Sequence, residues 1–153
     1  MRRNEREIKD PNEMEQIIAR CQVCRIALCD KDMPYIVPMN FGYKNKCLYL
    51  HTANDGKKMD IIKQNPKICF EMDIDNILKP GQIACKWTMD YKSVIGSGVA
   101  EVITDDTKKR EGLQIIMQQY AGNQTFDFIP KVMDMMSIIK VPIDEMTGKK
   151  SGQ

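Results

Sequence analysis

Apolar residues near the start of the chain recur at the spacing of one helix face, which predicts an amphipathic helix. Asp10 is placed to cap this helix, Pro11 suits its first position, and Glu13 stands where a capping-box partner belongs. The residues on the apolar face are Met14, Ile17, Ile18 and Cys21.

From Val23 onward the apolar positions alternate with polar ones, as in half-buried strands. Short polar turns join the first three strands, so we expect an antiparallel meander there. Pro38 has no backbone N–H, so its strand is expected to lie at a sheet edge or to break. Gly96 and Gly98 indicate a bulge or a close approach of another element. The predicted strands are residues 23–29, 34–43, 47–52, 67–75, 83–88, 91–103 and 137–143.

Two further helices and one helical turn are predicted outside these strands. One helix covers residues 56–64 and is capped by Asn54 or Asp55, and the other covers residues 106–121 and ends at Gly122. The helical turn lies near residues 132–136. The predicted fold is mainly β with marginal α: one domain, residues 1–153, formed by an antiparallel barrel of about six to seven strands with three peripheral helices. Residues 1–9 and 147–153 are expected to be loose.

Composition and charge exclude several classes of protein. Among 153 residues, 23 are Lys or Arg and 21 are Asp or Glu, a net charge of +2. Broad binding to nucleic acid or to acidic membranes needs a clear basic excess. No apolar run is long enough to span a membrane and no secretory signal is visible, so we expect a cytoplasmic protein.

Sulfur is abundant, with 12 Met and 6 Cys. Cys21 and Cys24 form a C-x-x-C pair, but the order of elements is helix then strand, and no second pair offers zinc spacing. The phases of the predicted elements place the cysteines among buried, reduced thiols rather than in disulfides.

The most informative segment for chemistry follows the third strand. Lys57 and Lys58 fall in the first turn of a predicted helix, where cations oppose the helix dipole by about 0.3–1 kcal/mol each. A bound phosphate would reverse the sign of that term, and Thr52 offers a hydroxyl to it. The alternative is a pair of solvated lysines.

The single histidine and the single tryptophan each allow more than one role. His51 is the single histidine and ends the third strand, so proton donor, ligand, stacking partner and plain hydrogen-bonded residue all stay open. Trp87, the single tryptophan, is expected in the core, with stacking on a planar ligand as the alternative. No Ser nucleophile elbow, paired catalytic carboxylates or dinucleotide fingerprint is visible, so any chemistry would come largely from a bound cofactor.

Several segments, taken in order and spacing, resemble the FMN-binding split-barrel superfamily, which includes pyridoxamine 5'-phosphate oxidase. Within it, the resemblance is strongest to the 5-nitroimidazole resistance proteins. It extends over roughly residues 3–150. The matching segments are residues 24–28, 34–43, 50–53, 56–58, 65–66, 91–94 and 146–149.

The resemblance implies a partly open, six-stranded split barrel that forms a homodimer with FMN at the interface. It implies that Thr52, Lys57 and Lys58 hold the phosphate and that His51 lies near the flavin. The remaining cofactor-binding positions implied are Pro38, Met39, Asn40, Ala53 and Ser93, and the candidates for covering the partner's flavin are Phe126 and Phe128.

The sequence differs from the pyridoxamine 5'-phosphate oxidases at two places that bear on its expected activity. The chain has no C-terminal Arg-x-His segment for gripping pyridoxal phosphate, so we do not expect vitamin oxidase activity. Lys57-Lys58 stands where those oxidases have Arg-Lys, and point charges replace a bidentate fork, so FMN would be held less tightly.

The resulting hypothesis is an FMN-dependent oxidoreductase that reduces small electrophiles such as nitroimidazole-type nitro groups, using an unidentified electron donor. His51 would orient the substrate or supply a proton. The alternative is a non-catalytic sensor or storage module on the same barrel that binds flavin, haem or deazaflavin.

Overall fold

The structure is a computed structural model that describes residues 4–152. Within that range the chain forms nine strands and four α-helices, with short 3-10 helices at Asn4–Arg6 and Ala84–Lys86. The helices are α1 (Pro11–Arg20), α2 (Lys57–Gln64), α3 (Asp106–Ala121) and α4 (Pro130–Asp134). The strands are β1 (Glu7–Ile8), β2 (Cys24–Asp30), β3 (Met33–Met39), β4 (Phe41–Lys44), β5 (Cys47–Ala53), β6 (Lys67–Lys79), β7 (Thr88–Val99), β8 (Glu101–Ile103) and β9 (Met136–Ser151).

All strand pairs are antiparallel, as predicted. The strand order is β3-β2-β6-β7-β9-β5-β4, and β1 and β8 also pair with β9. The two ends of this order, β3 and β4, follow each other directly in the chain. The sheet therefore curls into a barrel that is open between β3 and β4, which agrees with the predicted fold class.

The predicted meander is wrong in one respect, because the second predicted strand is two strands. β3 pairs with β2 and β4 pairs with β5, and the chain passes from one to the other at Asn40. The expectation for Pro38 is confirmed, since β3 lies at the end of the strand order and the strand stops one residue later. Met39 and Phe41 are both buried on either side of the break.

The region around residues 76–88 also differs from the prediction. β6 continues to Lys79 past a register shift, with Asp75 in the left-handed region at φ 58°, and pairs with β7 as a hairpin arm. Residues 83–87 do not form the predicted strand: they lie in the connection between β6 and β7 and contain the 3-10 helix Ala84–Lys86, and Thr88 begins β7. Trp87 lies here and is 51% exposed, so its expected place in the core is wrong.

The expected loose ends are ordered where the structure describes them. Glu7 and Ile8 pair with Lys149 and Gly148, and β9 remains paired with β7 as far as Ser151. The polar composition of this segment concealed the strand, because only Gly148 is buried in it. Residues 1–3 and 153 lie outside the described range.

Two apolar clusters hold the sheet and helices together. The larger one fills the barrel and receives α1 and α2, and the smaller one lies between α3, α4 and the outer face of β9. Helix α3 has the predicted bounds, and Gly122 ends it at φ 64°. The approach of α3 to β4 is close, because a Cβ on Gly42 would meet the backbone of Ile115 at 2.6 Å.

The two glycines of β7 behave as expected. A Cβ on Gly96 would meet the Phe70 ring at 2.5 Å, and the register of β7 and β9 shifts between Ser97 and Gly98. Both a close approach and a bulge are therefore present.

The cysteine prediction is correct for the C-x-x-C pair and wrong for others. Cys21 and Cys24 are buried free thiols, and burial raises their pKa to about 11 and about 12, which makes them poor nucleophiles. Cys29, Cys69 and Cys85 are exposed. They occupy outward strand positions or the 3-10 helix, which local periodicity did not reveal.

Candidate functional site

The N-terminus of α2 lacks a side-chain cap. Its N-cap residue is Gly56, at φ 102°, and no side chain accepts a hydrogen bond from the first turn. The prediction that Asn54 or Asp55 caps the helix is therefore wrong. The prediction that Lys57 and Lys58 occupy the first turn is confirmed.

The two lysines have different surroundings. The Lys57 Nζ lies 3.4 Å from Asp30 Oδ2 and 4.9 Å from the centroid of the Tyr35 ring. The Lys58 Nζ lies 3.5 Å from Met39 Sδ. Within residues 4–152 Lys58 has no carboxylate partner, and burial lowers its pKa. A partly buried ammonium without a counter-ion favours Lys58 over Lys57 as the group that receives an anion.

Thr52 lies just before this helix, near the end of β5, and the residue is 9% exposed. Its hydroxyl takes part in none of the hydrogen bonds formed within the described range. No fully buried side-chain oxygen or nitrogen in that range lacks a partner, so the Thr52 hydroxyl keeps contact with solvent and is free to bond to water or to a ligand.

His51 adjoins Lys58. Its pKa is lowered, first by desolvation of the ring and second by the positive charge of Lys58. Burial alternates along the end of β5, with Thr52 buried and His51 exposed, and His51 pairs with Ile138 in register. A neutral imidazole is therefore favoured near neutral pH, and it carries one N–H donor and one acceptor nitrogen.

The remaining predicted residues fall into two places. Pro38 and Asn40 flank Met39 and are exposed, and Ala53 is exposed at the end of β5. Ser93 lies on β7 between Asp73 and Lys149. No hydrogen bond or register pair within residues 4–152 joins Ser93 to the first turn of α2. The structure thus brings Met39, His51 and Lys58 together.

Ser93 lies on the same side of β7 as an exposed apolar surface. The residues Ile36, Ile95 and Val99 are 65%, 47% and 45% exposed, and they alternate with inward residues on β3 and β7. Cys69 of the intervening β6 is exposed as well. We call Ile36, Cys69, Ile95 and Val99 the outer sheet face. The Arg25–Glu71 ion pair lies in the same register row as Ile95, so this face combines exposed apolar side chains with charges. A mixed surface of this kind is typical of non-obligate interfaces.

A further cavity of the described chain lies elsewhere. It has a volume of about 570 Å³ and lies beside α3, with Tyr49, Arg110, Phe126 and Phe128 among its lining residues. Phe126 and Phe128, candidates for covering a flavin, therefore line a cavity of their own chain, which includes none of the predicted cofactor-binding residues.

Sequence analysis missed the partners that distinguish the two lysines. Asp30 and Tyr35 come from the β2–β3 hairpin, far from Lys57 in the chain. Asn54 also has a role that its position did not reveal, since its side chain bonds to residues near β9. Long-range contacts of this type leave no spacing signal in one sequence.

Comparison with known proteins adds the family. The profile of the pyridoxamine 5'-phosphate oxidase family matches residues 10–150. The chain belongs to this family. A candidate 5-nitroimidazole antibiotic resistance protein from Bacteroides thetaiotaomicron VPI-5482 is a family relative of known structure. It is 34% identical, with a TM-score of 0.84, over 94% of this chain and 86% of that one.

More distant structures share the fold of this pyridoxamine 5'-phosphate oxidase family member. The flavocytochrome Anf3 from Azotobacter vinelandii is 17% identical with a TM-score of 0.87, over 100% of this chain and 72% of that one. A FAD and heme binding protein from Mycobacterium smegmatis is 16% identical with a TM-score of 0.87, over 97% of this chain and 74% of that one.

One curated relative is matched over a shorter stretch. The uncharacterized protein RA0666 from Rhizobium meliloti (strain 1021) is 32% identical over 60 residues. That stretch is 39% of this chain and 39% of the relative.

Each helix between residues 4 and 152 is too short or too polar to cross a bilayer. In the same range no three His, Cys, Asp or Glu side chains are grouped so as to hold a metal ion.

Proposed function

We propose that this chain binds FMN through the N-terminus of α2 and acts as an oxidoreductase on small electrophiles, such as nitro groups of the nitroimidazole type. The observation that carries the proposal is the uncapped first turn of α2, with Lys58 lacking a carboxylate partner beside it. A dianionic phosphate supplies what that turn lacks, because it accepts the free backbone N–H groups and neutralises the ammonium.

The residues fit a flavin phosphate at three points. Gly56 leaves the backbone N–H groups of the first turn uncovered, the Thr52 hydroxyl has an unused donor, and the Lys58 ammonium has no counter-ion within residues 4–152. Lys57 would add long-range attraction while keeping its contact with Asp30. A bound flavin supplies reversible electron transfer, which no side chain of this set can perform.

The other residues would shape and equip the ring pocket. Met39 offers a polarizable thioether, and Pro38 and Asn40 adjoin it on exposed backbone, with Ala53 at the end of β5. His51, held neutral by its lowered pKa, would donate or accept a hydrogen bond at a ring nitrogen and so orient the substrate. The electron donor, for which a reduced nicotinamide is our proposal, would approach from solvent.

A homodimer is part of the proposal. The outer sheet face exposes apolar side chains beside the Arg25–Glu71 ion pair, and Ser93 lies on the same side of β7. A second copy packed on this face would cover it and would bring a second set of side chains to Ser93. Sedimentation equilibrium should give twice the mass of the chain, and Ile95→Glu should lower it to the mass of the monomer. A wild-type monomer would contradict this part.

The decisive test of the cofactor is direct. The purified protein is incubated with FMN, FAD, riboflavin or haemin, freed of excess, and examined by absorption spectroscopy and by mass spectrometry of what denaturation releases. Retained FMN, with riboflavin held more weakly, supports the proposal. Failure to retain any flavin would overturn it.

Catalysis needs a separate test. The FMN-loaded protein is mixed with a 5-nitroimidazole and NADH or NADPH, and loss of the nitro absorbance is followed. Turnover that disappears in His51→Ala but not in Lys63→Ala supports the enzyme and the role of His51. Flavin binding without turnover would favour the second candidate.

The second candidate is a non-catalytic module that binds flavin or haem. Two fold relatives are named for haem as well as flavin, and His51 is exposed with its neutral, metal-ligating form favoured. A Soret band that is lost in His51→Ala would support this candidate against the FMN enzyme.

A further inference from the structure

The turn between β5 and α2 is held by a single side chain. Residues 54–56 are exposed, and Asn54 is the one residue among them whose side chain forms hydrogen bonds within the described range. Its Nδ2 donates to the carbonyl oxygen of Asp134 at 2.7 Å, and its Oδ1 accepts from Ser137 Oγ at 2.8 Å. The amide thus uses a donor and an acceptor at the same time.

Both partners of Asn54 are themselves fixed. Ser137 is 4% exposed and pairs with Thr52 in the β5–β9 register. Asp134 ends α4, and the preceding carbonyl, of Met133, accepts a 2.6 Å hydrogen bond from the Lys109 ammonium. Lys109 is 5% exposed, so this anchor is well shielded from water. Asn54 therefore ties an exposed turn to rigid points on α4 and β9.

We propose that Asn54 is a positioning residue that fixes the β5–α2 turn so that the first turn of α2 and the Thr52 hydroxyl face the same phosphate. The proposal rests on the proposed FMN function. It explains why Asn54 does not cap α2: its amide is engaged with Asp134 and Ser137 instead. An aspartate at this place lacks the donor that Asp134 O requires, and alanine lacks both groups.

The phosphate gives this role a specific readout. FMN and riboflavin share the ring and differ in the phosphate, so a misplaced turn weakens FMN alone, whereas a general folding defect weakens both. Loss of the two hydrogen bonds in Asn54→Ala should reduce the preference for FMN over riboflavin about tenfold. Ser137→Ala removes one bond and should give a smaller reduction in the same ratio.

The experiment measures both affinities by quenching of flavin fluorescence in the wild type, Asn54→Ala and Ser137→Ala. The matched control is Asn65→Ala, which removes the bond from Lys67 N to Asn65 Oδ1 at the opposite end of α2 and should leave the ratio unchanged. A selective loss of FMN affinity in Asn54→Ala supports the proposal. If Asn54→Ala does not fold, the ratio of FMN affinity to riboflavin affinity in Ser137→Ala tests the proposal instead.

An unchanged ratio in the folded variants, or equal losses for FMN and riboflavin, would overturn the positioning role while leaving the proposed function intact. A wild-type protein that binds riboflavin as tightly as FMN would overturn the phosphate site itself, and this inference with it. The two failures are therefore distinguishable.

Discussion

The helices α1 and α2 begin in opposite ways. Asp10 caps α1, its carboxylate accepts from Asn12 N at 2.9 Å, and the acidic Glu13 follows in the first turn. Helix α2 begins at Gly56 without a side-chain cap, and two lysines follow. The start of α1 is satisfied by its own residues, whereas the start of α2 exposes N–H groups and adds positive charge to them.

The five-residue α4 also starts without a side-chain cap, at Ile129, but among the described helices of eight or more residues α2 is the exception. Asp105 caps α3 and accepts from Lys108 N at 2.9 Å. Aspartate caps α1 and α3, whereas Asp55 stands immediately before Gly56 without capping α2. Among the described helices of eight or more residues, α2 thus combines a missing side-chain cap with two lysines in its first turn, and this contrast supports the proposed anion site.

The largest expected effect comes from removing the cation that lacks a partner. Lys58→Met should weaken FMN binding by about 10- to 100-fold, the range for a lost hydrogen bond to a charged group. Lys57→Met should cost less, because Lys57 already interacts with Asp30 and Tyr35. Fluorescence titration measures both. A larger loss of FMN affinity in Lys57→Met than in Lys58→Met would contradict the proposal that Lys58 is the main cation for the phosphate.

A residue with a side chain should not be tolerated at the start of α2. Gly56→Ala should lower the free energy of unfolding of the flavin-free protein by about 1–2 kcal/mol, because φ 102° is unfavourable for any L side chain. The cost is purely conformational, since a Cβ there meets nothing within 4 Å. Urea denaturation measures it. Equal stability of Gly56→Ala and wild type would show that the turn adapts.

Removing the cap of α1 should lower the stability of the protein without changing its affinity for FMN. Asp10→Ala should cost about 1 kcal/mol in the free energy of unfolding and leave FMN affinity unchanged. Asp55→Ala is the matched control, since it precedes α2 without capping it, and its effect should stay within about 0.5 kcal/mol. Comparable losses in the two variants would mean that Asp55 does cap α2 in solution.

The smallest effect concerns the protonation of His51. Its pKa lies below the ordinary value of 6.5, so the unfolded chain takes up the proton first as pH falls. The stabilisation is complete above about pH 6.5 and is lost as pH falls through that value to the folded pKa. Lys58→Met should raise the His51 pKa only part of the way, because desolvation is the larger cause. NMR titration of the His51 ring protons measures this pKa in the wild type and in Lys58→Met. An unchanged pKa would show that the charge of Lys58 does not act on His51.

Local signals predicted the helices well and the closure of the barrel poorly. The bounds of α3 and its end at Gly122 follow from periodicity and a glycine in the left-handed region. The break at Asn40 does not, because it depends on β3 and β4 pairing with different strands. The same holds at the site, where the positions of Lys57 and Lys58 followed from local spacing but their different partners did not.

Strand β9 bears on the order in which the protein folds during synthesis. It pairs with β1, β5, β7 and β8, whereas the β2–β3, β4–β5 and β6–β7 pairs join neighbours in the chain. Hairpins of that kind form early and locally, but their edges stay uncovered until residues 136–151 have left the ribosome. The nascent chain therefore carries open strand edges until β9 emerges. This interval is when a chaperone would protect it, and a pause in translation before β9 would favour aggregation.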